Sequence, residues 1–123
     1  MPAVLVVDDE ALIRWSLSEA LSESGYVVCL AATAAEARAV METFDNRPLI
    51  VVLDLRLPDV SDLSFLREMR QRRPDVPVIM MTAHGTPDDA AKAHGLGAAR
   101  FVGKPFDVAE MVRFVDDAWK RSA

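Results

Sequence analysis

Polar residues that could handle a phosphoryl group follow four of the five apolar runs in this chain. Asp8 and Asp9 follow the first run, Asp54 the third, Thr82 the fourth and Lys104 the fifth. Because clustered carboxylates repel one another, they favour a hard divalent cation with oxygen ligands, and we expect Mg²⁺, with Mn²⁺ as a substitute. A cation, a lysine and a hydroxyl together suit a phosphoryl group, whose charge lies on three equatorial oxygens. Asp54 is then the best candidate for a nucleophile that takes the phosphoryl group itself.

These residues need a scaffold that brings distant parts of the chain together, and the hydrophobic pattern predicts one. Short, continuous apolar runs are typical of strands that are covered on both faces, as in parallel sheets. Segments of helical spacing alternate with the runs, which predicts an α/β fold: a five-stranded parallel sheet with helices on both faces. Ligands of such sheets bind beyond the carboxyl ends of the strands, so the polar residues should meet at one edge. The predicted strands are 3–7, 26–30, 49–53, 76–81 and 100–102, and the predicted helices are 10–23, 33–43, 61–72, 86–95 and 107 onward.

The composition indicates a folded domain and disfavours several classes of function. The chain has 123 residues, 51% apolar and 27% charged, which suits one domain over residues 1–123. Its net charge of −5 disfavours direct binding to nucleic acid or to an anionic membrane. Cys29 is the single cysteine, so no disulfide can form within the chain. The apolar runs are too short to span a bilayer and the acids at 8–10 argue against a signal peptide, so we expect a cytoplasmic location.

The set Asp8-Asp9, Asp54, Thr82 and Lys104-Pro105 resembles the receiver domain of two-component response regulators, and the resemblance covers essentially the whole chain. It implies a flavodoxin-like, doubly wound (βα)5 sandwich with the strand order 2-1-3-4-5. The branch that looks most similar is the nitrogen-regulation (NtrC) type of sigma-54-dependent transcriptional regulators, whose receivers usually precede an ATPase and a DNA-binding module. The motifs that carry this finer resemblance are Ile13-Arg14-Trp15, Asp54-Leu55-Arg56-Leu57-Pro58, Met81-Thr82-Ala83 and Lys104-Pro105-Phe106-Asp107.

The resemblance implies a metal site built from oxygen ligands. In it, Asp9 and Asp54 bind Mg²⁺ or Mn²⁺ together with the backbone carbonyl of Arg56. Asp8 takes part largely through water. Asp54 is the phosphoacceptor of the site.

The resemblance also implies how a phosphoryl group is held and sensed. Thr82 and the backbone amide of Ala83 bind phosphoryl oxygens, and Lys104 pairs with the phosphoryl group. Phe101 is the switch aromatic, whose ring turns inward when Thr82 moves. The helix predicted over 86–95 carries small side chains, so few contacts should hold it, and we expect the change of shape there.

A partner and an output follow from the same resemblance. A cognate sensor histidine kinase supplies the phosphoryl group, and transcription is the expected output. The face made by the fourth helix, the fifth strand and the fifth helix is the expected partner or homodimer surface. The chain would catalyse only its own phosphorylation and a slow loss of the phosphoryl group, so we do not expect an enzyme of metabolism.

Two alternatives share part of this pattern. A haloacid-dehalogenase-like phosphatase also uses Mg²⁺ and an aspartate nucleophile, but it needs a second aspartate two residues later, where this chain has Arg56. A degenerate receiver that acts only as a docking module is disfavoured by the intact acidic set.

One departure from the receiver pattern is Asp62, which stands where the family usually has glycine. Since aspartate tolerates left-handed backbone better than most residues, a turn at that position could survive. His84, two residues after Thr82, could lie at the rim of the site.

Overall fold

The computed structural model describes residues 1–83 and 85–122, and within them five strands alternate with five helices. The strands are β1 (Ala3–Val7), β2 (Val27–Ala31), β3 (Leu49–Asp54), β4 (Val78–Thr82) and β5 (Arg100–Gly103). The helices are α1 (Ala11–Glu23), α2 (Ala34–Phe44), α3 (Ser64–Arg72), α4 (Pro87–Gly95) and α5 (Val108–Ser122). All neighbouring strands pair in parallel, in the order β2-β1-β3-β4-β5, which confirms the predicted fold class and strand order. His84, which we expected at the rim of the site, lies outside the described residues.

Both faces of the inner strands are buried, because successive side chains of a strand point to opposite faces and helices cover each face. In β1, Leu5 and Val7 belong to the core under α2, α3 and α4, whereas Val4 and Val6 belong to the core under α1 and α5. The inner strands β1, β3 and β4 are buried along their whole length. The continuous apolar runs of β1, β3 and β4 therefore correspond to strands that are covered on both sides, as predicted. For the edge strands β2 and β5 that prediction is wrong, since both are partly exposed.

Local capping fixes where two of the helices begin. The Thr33 hydroxyl accepts a hydrogen bond from the Glu36 amide at 3.1 Å, and α2 begins directly after Thr33. At α4, the Asp89 amide donates to the Thr86 hydroxyl at 3.0 Å, and the Thr86 amide donates to the Asp89 carboxylate at 3.2 Å. This reciprocal pair is a capping box, and the proline at 87 suits the first turn that follows it.

The predicted start of α3 is wrong by three residues. Residues 61–63 form part of a turn, and α3 begins at Ser64, whose amide donates to the Asp62 carboxylate at 2.9 Å. The expected left-handed backbone at Asp62 is also absent, since the only non-glycine residue with positive φ in the described part of the chain is Asp45. Asp62 therefore acts by accepting a hydrogen bond ahead of the helix, an arrangement for which aspartate is well suited.

The fourth strand also begins later than its apolar run suggests. The Val76 amide donates to the Arg73 carbonyl in the turn before the strand, and Pro77 has no amide proton for a ladder. β4 therefore starts at Val78. In the described part of the chain, no helix is both long enough and apolar enough to cross a membrane.

Candidate functional site

The carboxyl ends of four strands bring the predicted polar residues to one edge of the sheet. Asp8 follows β1 directly, Asp54 and Thr82 are the last residues of β3 and β4, and Lys104 follows β5. Asp8 is fully buried, while Asp54 and Thr82 are only 6% and 2% exposed. Buried polar groups are costly unless they are hydrogen-bonded, so this edge must supply partners for them.

Lys104 supplies those partners for the two buried carboxylates. Its ammonium nitrogen Nζ lies 2.7 Å from Oδ2 of Asp8 and 3.3 Å from Oδ2 of Asp54. The same nitrogen lies 3.3 Å from Oε1 of Glu10, whose side chain is mostly exposed. One cation therefore joins acids that are 46 residues apart in the chain, and charge-assisted hydrogen bonds of this kind are the stronger ones.

The second oxygen of each buried carboxylate accepts a hydrogen bond from the backbone two residues later. The Glu10 amide donates to Oδ1 of Asp8 at 2.8 Å. The Arg56 amide donates to Oδ1 of Asp54 at 3.2 Å. Both carboxylates are thus held at fixed orientations by their own loops, with Oδ2 of each directed to Lys104.

Electrostatics leave the site short of positive charge. Burial, and then the charge of Asp8, raises the pKa of Asp54 against the opposing influence of Lys104 and of the Arg56 amide. Burial alone would lower the pKa of Lys104, but the hydrogen bond and the charge of Asp8, followed by the charge of Asp54, outweigh it and raise that pKa. Lys104 therefore stays protonated, yet it does not fully offset two buried carboxylates, and a further cation would be stabilised here.

A group of acids at the end of β1 offers oxygen ligands for such a cation. Carboxylate oxygens of Asp8, Asp9 and Glu10 lie within 4.8 Å of one another, and Asp9 and Glu10 are exposed. A set of oxygen ligands alone fits a hard divalent ion. Glu10 was not among the metal ligands expected from the sequence, although its position directly after two aspartates could have indicated it. Asp54 is linked to this group through Lys104.

Thr82 and Phe101 meet at a residue that the sequence did not single out. A Cβ atom at Gly85 would lie 2.3 Å from the Thr82 methyl carbon and 2.7 Å from Cε1 of Phe101, so only glycine fits between them. Phe101 is half-buried, and Ala83 is exposed beside Thr82. The two expected switch residues are therefore in one packed group, and a glycine three residues after the strand-end threonine was the available clue.

Comparison with known proteins agrees with this geometry. Residues 4–116 match the response regulator receiver domain family. The DNA-binding transcriptional regulator NtrC of Escherichia coli is 39% identical over 116 residues, covering 94% of this chain and 24% of that protein. The transcriptional regulatory protein PrrA of Mycobacterium tuberculosis is 36% identical over 120 residues, covering 98% of this chain and 51% of that protein.

The solved structures agree with the sequence relatives. The beryllofluoride-activated NtrC4 receiver domain dimer superposes with a TM-score of 0.92 at 37% identity, and each chain is covered in full. This chain spans about a quarter of the length of the NtrC relatives it matches. The likeness to NtrC-type receivers that the motifs indicated is confirmed, and nothing in these comparisons supports a phosphatase or a degenerate docking module. The chain therefore belongs to the response regulator receiver domain family.

Proposed function

We propose that the chain takes a phosphoryl group from a sensor histidine kinase onto Asp54 and thereby controls a transcriptional output. The observation that carries this proposal is the position of Asp54, buried at the end of β3 with one carboxylate oxygen against Lys104. The relatives named as transcriptional regulators support the output. Lys104 and the acids of β1 supply the surroundings that a phosphoryl acceptor needs.

The transfer is a single displacement at phosphorus. A carboxylate oxygen of Asp54 forms a bond to phosphorus while the bond from phosphorus to the histidine nitrogen breaks, and the electron pair stays on the imidazole. Lys104, 3.3 Å from Asp54, is placed to pair with a phosphoryl oxygen. Met81 of β4 is paired with Asp54 of β3, so Thr82, the last residue of β4, lies close to the phosphoacceptor. The Thr82 hydroxyl and the Ala83 amide can therefore bind the remaining phosphoryl oxygens.

The donor set also fits Mg²⁺, with Mn²⁺ as a substitute. Asp8, Asp9 and Asp54 would hold the ion together with the backbone carbonyl of Arg56. When bound, it supplies positive charge against the phosphoryl oxygens and orients them for the displacement. We propose no turnover of a small-molecule substrate, because these residues handle one phosphoryl group and the chain itself is its acceptor.

A test follows from the assignment of Asp54. Incubation with acetyl phosphate and Mg²⁺ should give one phosphoryl adduct by intact-mass analysis, and chelation of the metal should prevent it. Asp54→Asn should abolish the adduct. Asp117→Asn, which removes an exposed acid of α5, is the charge-matched control and should be labelled like the parent. Equal labelling of Asp54→Asn and the parent would refute the assignment.

We further propose that the kinase docks on the exposed face of α1 beside this site. Leu12 and Trp15 are 72% and 61% exposed and lie three residues apart on the helix, so they share a side. Leu12 lines a groove of about 200 Å³, and the lining of this groove joins α1 to Lys104 and Phe106. Since Lys104 also contacts the phosphoacceptor, an apolar helix that carries the phosphohistidine could occupy this groove and reach the site.

Two phosphodonors separate docking from chemistry. One phosphodonor is a phosphorylated histidine kinase that labels the parent chain. The double variant Leu12→Ala, Trp15→Ala should accept the phosphoryl group from it about tenfold more slowly than the parent does. Labelling by acetyl phosphate should not change, because that donor needs no docking surface. Val27→Ala, at an apolar residue of β2 that is 69% exposed, is the control and should affect neither donor. Transfer from the kinase at the parent's rate would contradict the docking proposal.

Phosphorylation should also change the face formed by α4, β5 and α5. The NtrC4 receiver domain is described as a dimer in its beryllofluoride-activated form. On this face of the present chain, the Arg100 guanidinium lies 4.1 Å from the centre of the Phe114 ring. We propose that two phosphorylated copies pair here. Sedimentation with beryllofluoride should show a dimer of the parent chain and a monomer of Asp54→Asn.

A further inference from the structure

We propose that Asp59 is a positioning residue for the metal and phosphoryl site, and that it acts by fastening the loop between β3 and α3 to the start of α2. The proposal rests on the function proposed for Asp54. The loop contains Arg56, whose backbone carbonyl is the proposed metal ligand. Asp59 lies three residues later and is joined to a part of the chain that is distant in sequence.

The fastening is a bidentate hydrogen-bonded contact. Oδ1 of Asp59 accepts from the Ala34 amide at 2.9 Å, and Oδ2 accepts from the Ala35 amide at 3.0 Å. Both amides are in the first turn of α2, where backbone N–H groups have no partner within the helix. The Thr33 hydroxyl accepts a hydrogen bond from the Glu36 amide only. Asp59 accepts from the two preceding amides, those of Ala34 and Ala35.

The charge of Asp59 suits this position. A carboxylate is stabilised at the N-terminal end of a helix dipole. The hydrogen bond from the Ala34 amide, together with that from Ala35, lowers the pKa of Asp59, so the side chain is ionised at neutral pH. Although the residue is exposed, both of its carboxylate oxygens accept hydrogen bonds from backbone amides of α2.

The part of the loop around Arg56 is held by contacts with the core, and Asp59 holds the exposed end of the loop. Leu55 and Leu57 are buried in the core, and the Leu57 amide donates to the Val60 carbonyl at 2.8 Å. The Arg56 amide donates to the phosphoacceptor carboxylate. Without Asp59, the exposed end of this loop loses its tie to α2. A metal that binds the Arg56 carbonyl would then have to order the loop, and ordering costs conformational entropy.

The test measures metal binding directly. Free Mn²⁺ is counted by electron paramagnetic resonance at neutral pH in titrations of the parent chain, Asp59→Ala and Asp59→Asn. Asp59→Ala should bind Mn²⁺ about fivefold more weakly, the factor that corresponds to one hydrogen bond of ordinary strength. Asp59→Asn keeps one acceptor oxygen and should lie between Asp59→Ala and the parent. Asp117→Ala removes the same charge from the exposed side of α5 and should bind like the parent.

Thermal unfolding of the same variants separates positioning from helix capping. A residue that only caps α2 would lower the melting temperature and leave the Mn²⁺ affinity unchanged, and that result would overturn the proposal. If the parent chain itself bound no Mn²⁺, the proposed metal site would fail and this proposal with it. If Asp59→Ala does not fold, Asp59→Asn decides, since parent-like affinity in that variant would also refute a positioning role.

Discussion

The α2–α3 pair and α4 cover the same face of the sheet, but they are held in place by different means. Arg38 of α2 makes a bidentate ion pair with Glu68 of α3, with contacts of 2.7 and 3.0 Å, and Asp59 joins the loop before α3 to α2. The ion pair of α4 among the described residues runs from Lys92 to Asp88 within the helix itself.

The buried side chains differ in the same direction. α3 buries Phe65, Leu66 and Met69, whereas Ala93 is the buried residue of α4. Small side chains bury little apolar area, and elements with few such contacts open locally at low cost. The comparison teaches that the loop between β3 and α3, which carries the proposed metal ligand, rests against a tightly packed part of the molecule, and we expect the helix next to Thr82 and Phe101 to be the part that moves.

The largest expected effect tests the packing side of this comparison. Phe65→Ala should lower the free energy of unfolding by about 3–5 kcal/mol, because it removes a buried ring from α3. Leu96→Ala, at the half-buried residue after α4, should cost only about 1–2 kcal/mol. Urea unfolding of both variants is the measurement. Equal losses would mean that α4 is as firmly packed as α3.

The second prediction concerns where the activated state differs. Hydrogen exchange with beryllofluoride should change by about tenfold at amides within 85–106, since Ala93 is the buried residue of α4 and few apolar contacts hold that helix. Amides of α2 and α3 should change much less, and Thr82→Ala should weaken the response because its hydroxyl is the proposed link to the phosphoryl group. A response confined to α1, α2 or α3 would contradict the difference drawn between the two regions.

The third prediction uses the metal without phosphorylation. Mg²⁺ at five times its dissociation constant should raise the free energy of unfolding by about 1 kcal/mol, because it binds only the folded state. Local exchange within α4 should stay unchanged, since the proposed ligands lie at or just after the ends of β1 and β3. Asp9→Ala should remove most of the stabilisation. Absence of any effect up to tens of millimolar Mg²⁺ would count against the site.

The smallest expected effect concerns the surface ion pairs. Arg38→Met should lower the free energy of unfolding by about 0.5–1 kcal/mol, because it removes a partly exposed bidentate pair and a cation 5.0 Å from the centre of the Phe65 ring. Lys92→Met in α4 should lower it by less than Arg38→Met, since the pair of Lys92 with Asp88 is exposed. A larger loss at Lys92 than at Arg38 would reverse the comparison.

Much of the fold was predictable because its causes are local. Continuous apolar runs at 3–7 and 49–53 indicate buried parallel strands, and they correspond to β1 and β3. Thr33 marks a helix start because a hydroxyl followed by an acid three residues later can satisfy backbone donors, and Thr86 marks one because Pro87 suits the first helical position. The boundaries of α3 and β4 were less predictable, since a turn and a proline interrupt patterns that look continuous in the sequence.

The sequence by itself determined that Asp8, Asp54, Thr82 and Lys104 would converge, because each follows a strand and parallel strands end at one edge of the sheet. Only the tertiary structure decided which atoms meet there. Lys104 bridges the acids of β1 and β3, Asp59 reaches amides that lie 24 and 25 residues earlier, and Gly85 leaves room for Thr82 and Phe101. These contacts depend on distances between elements that are far apart in the chain, and those distances follow from the packing of the whole core rather than from any local pattern.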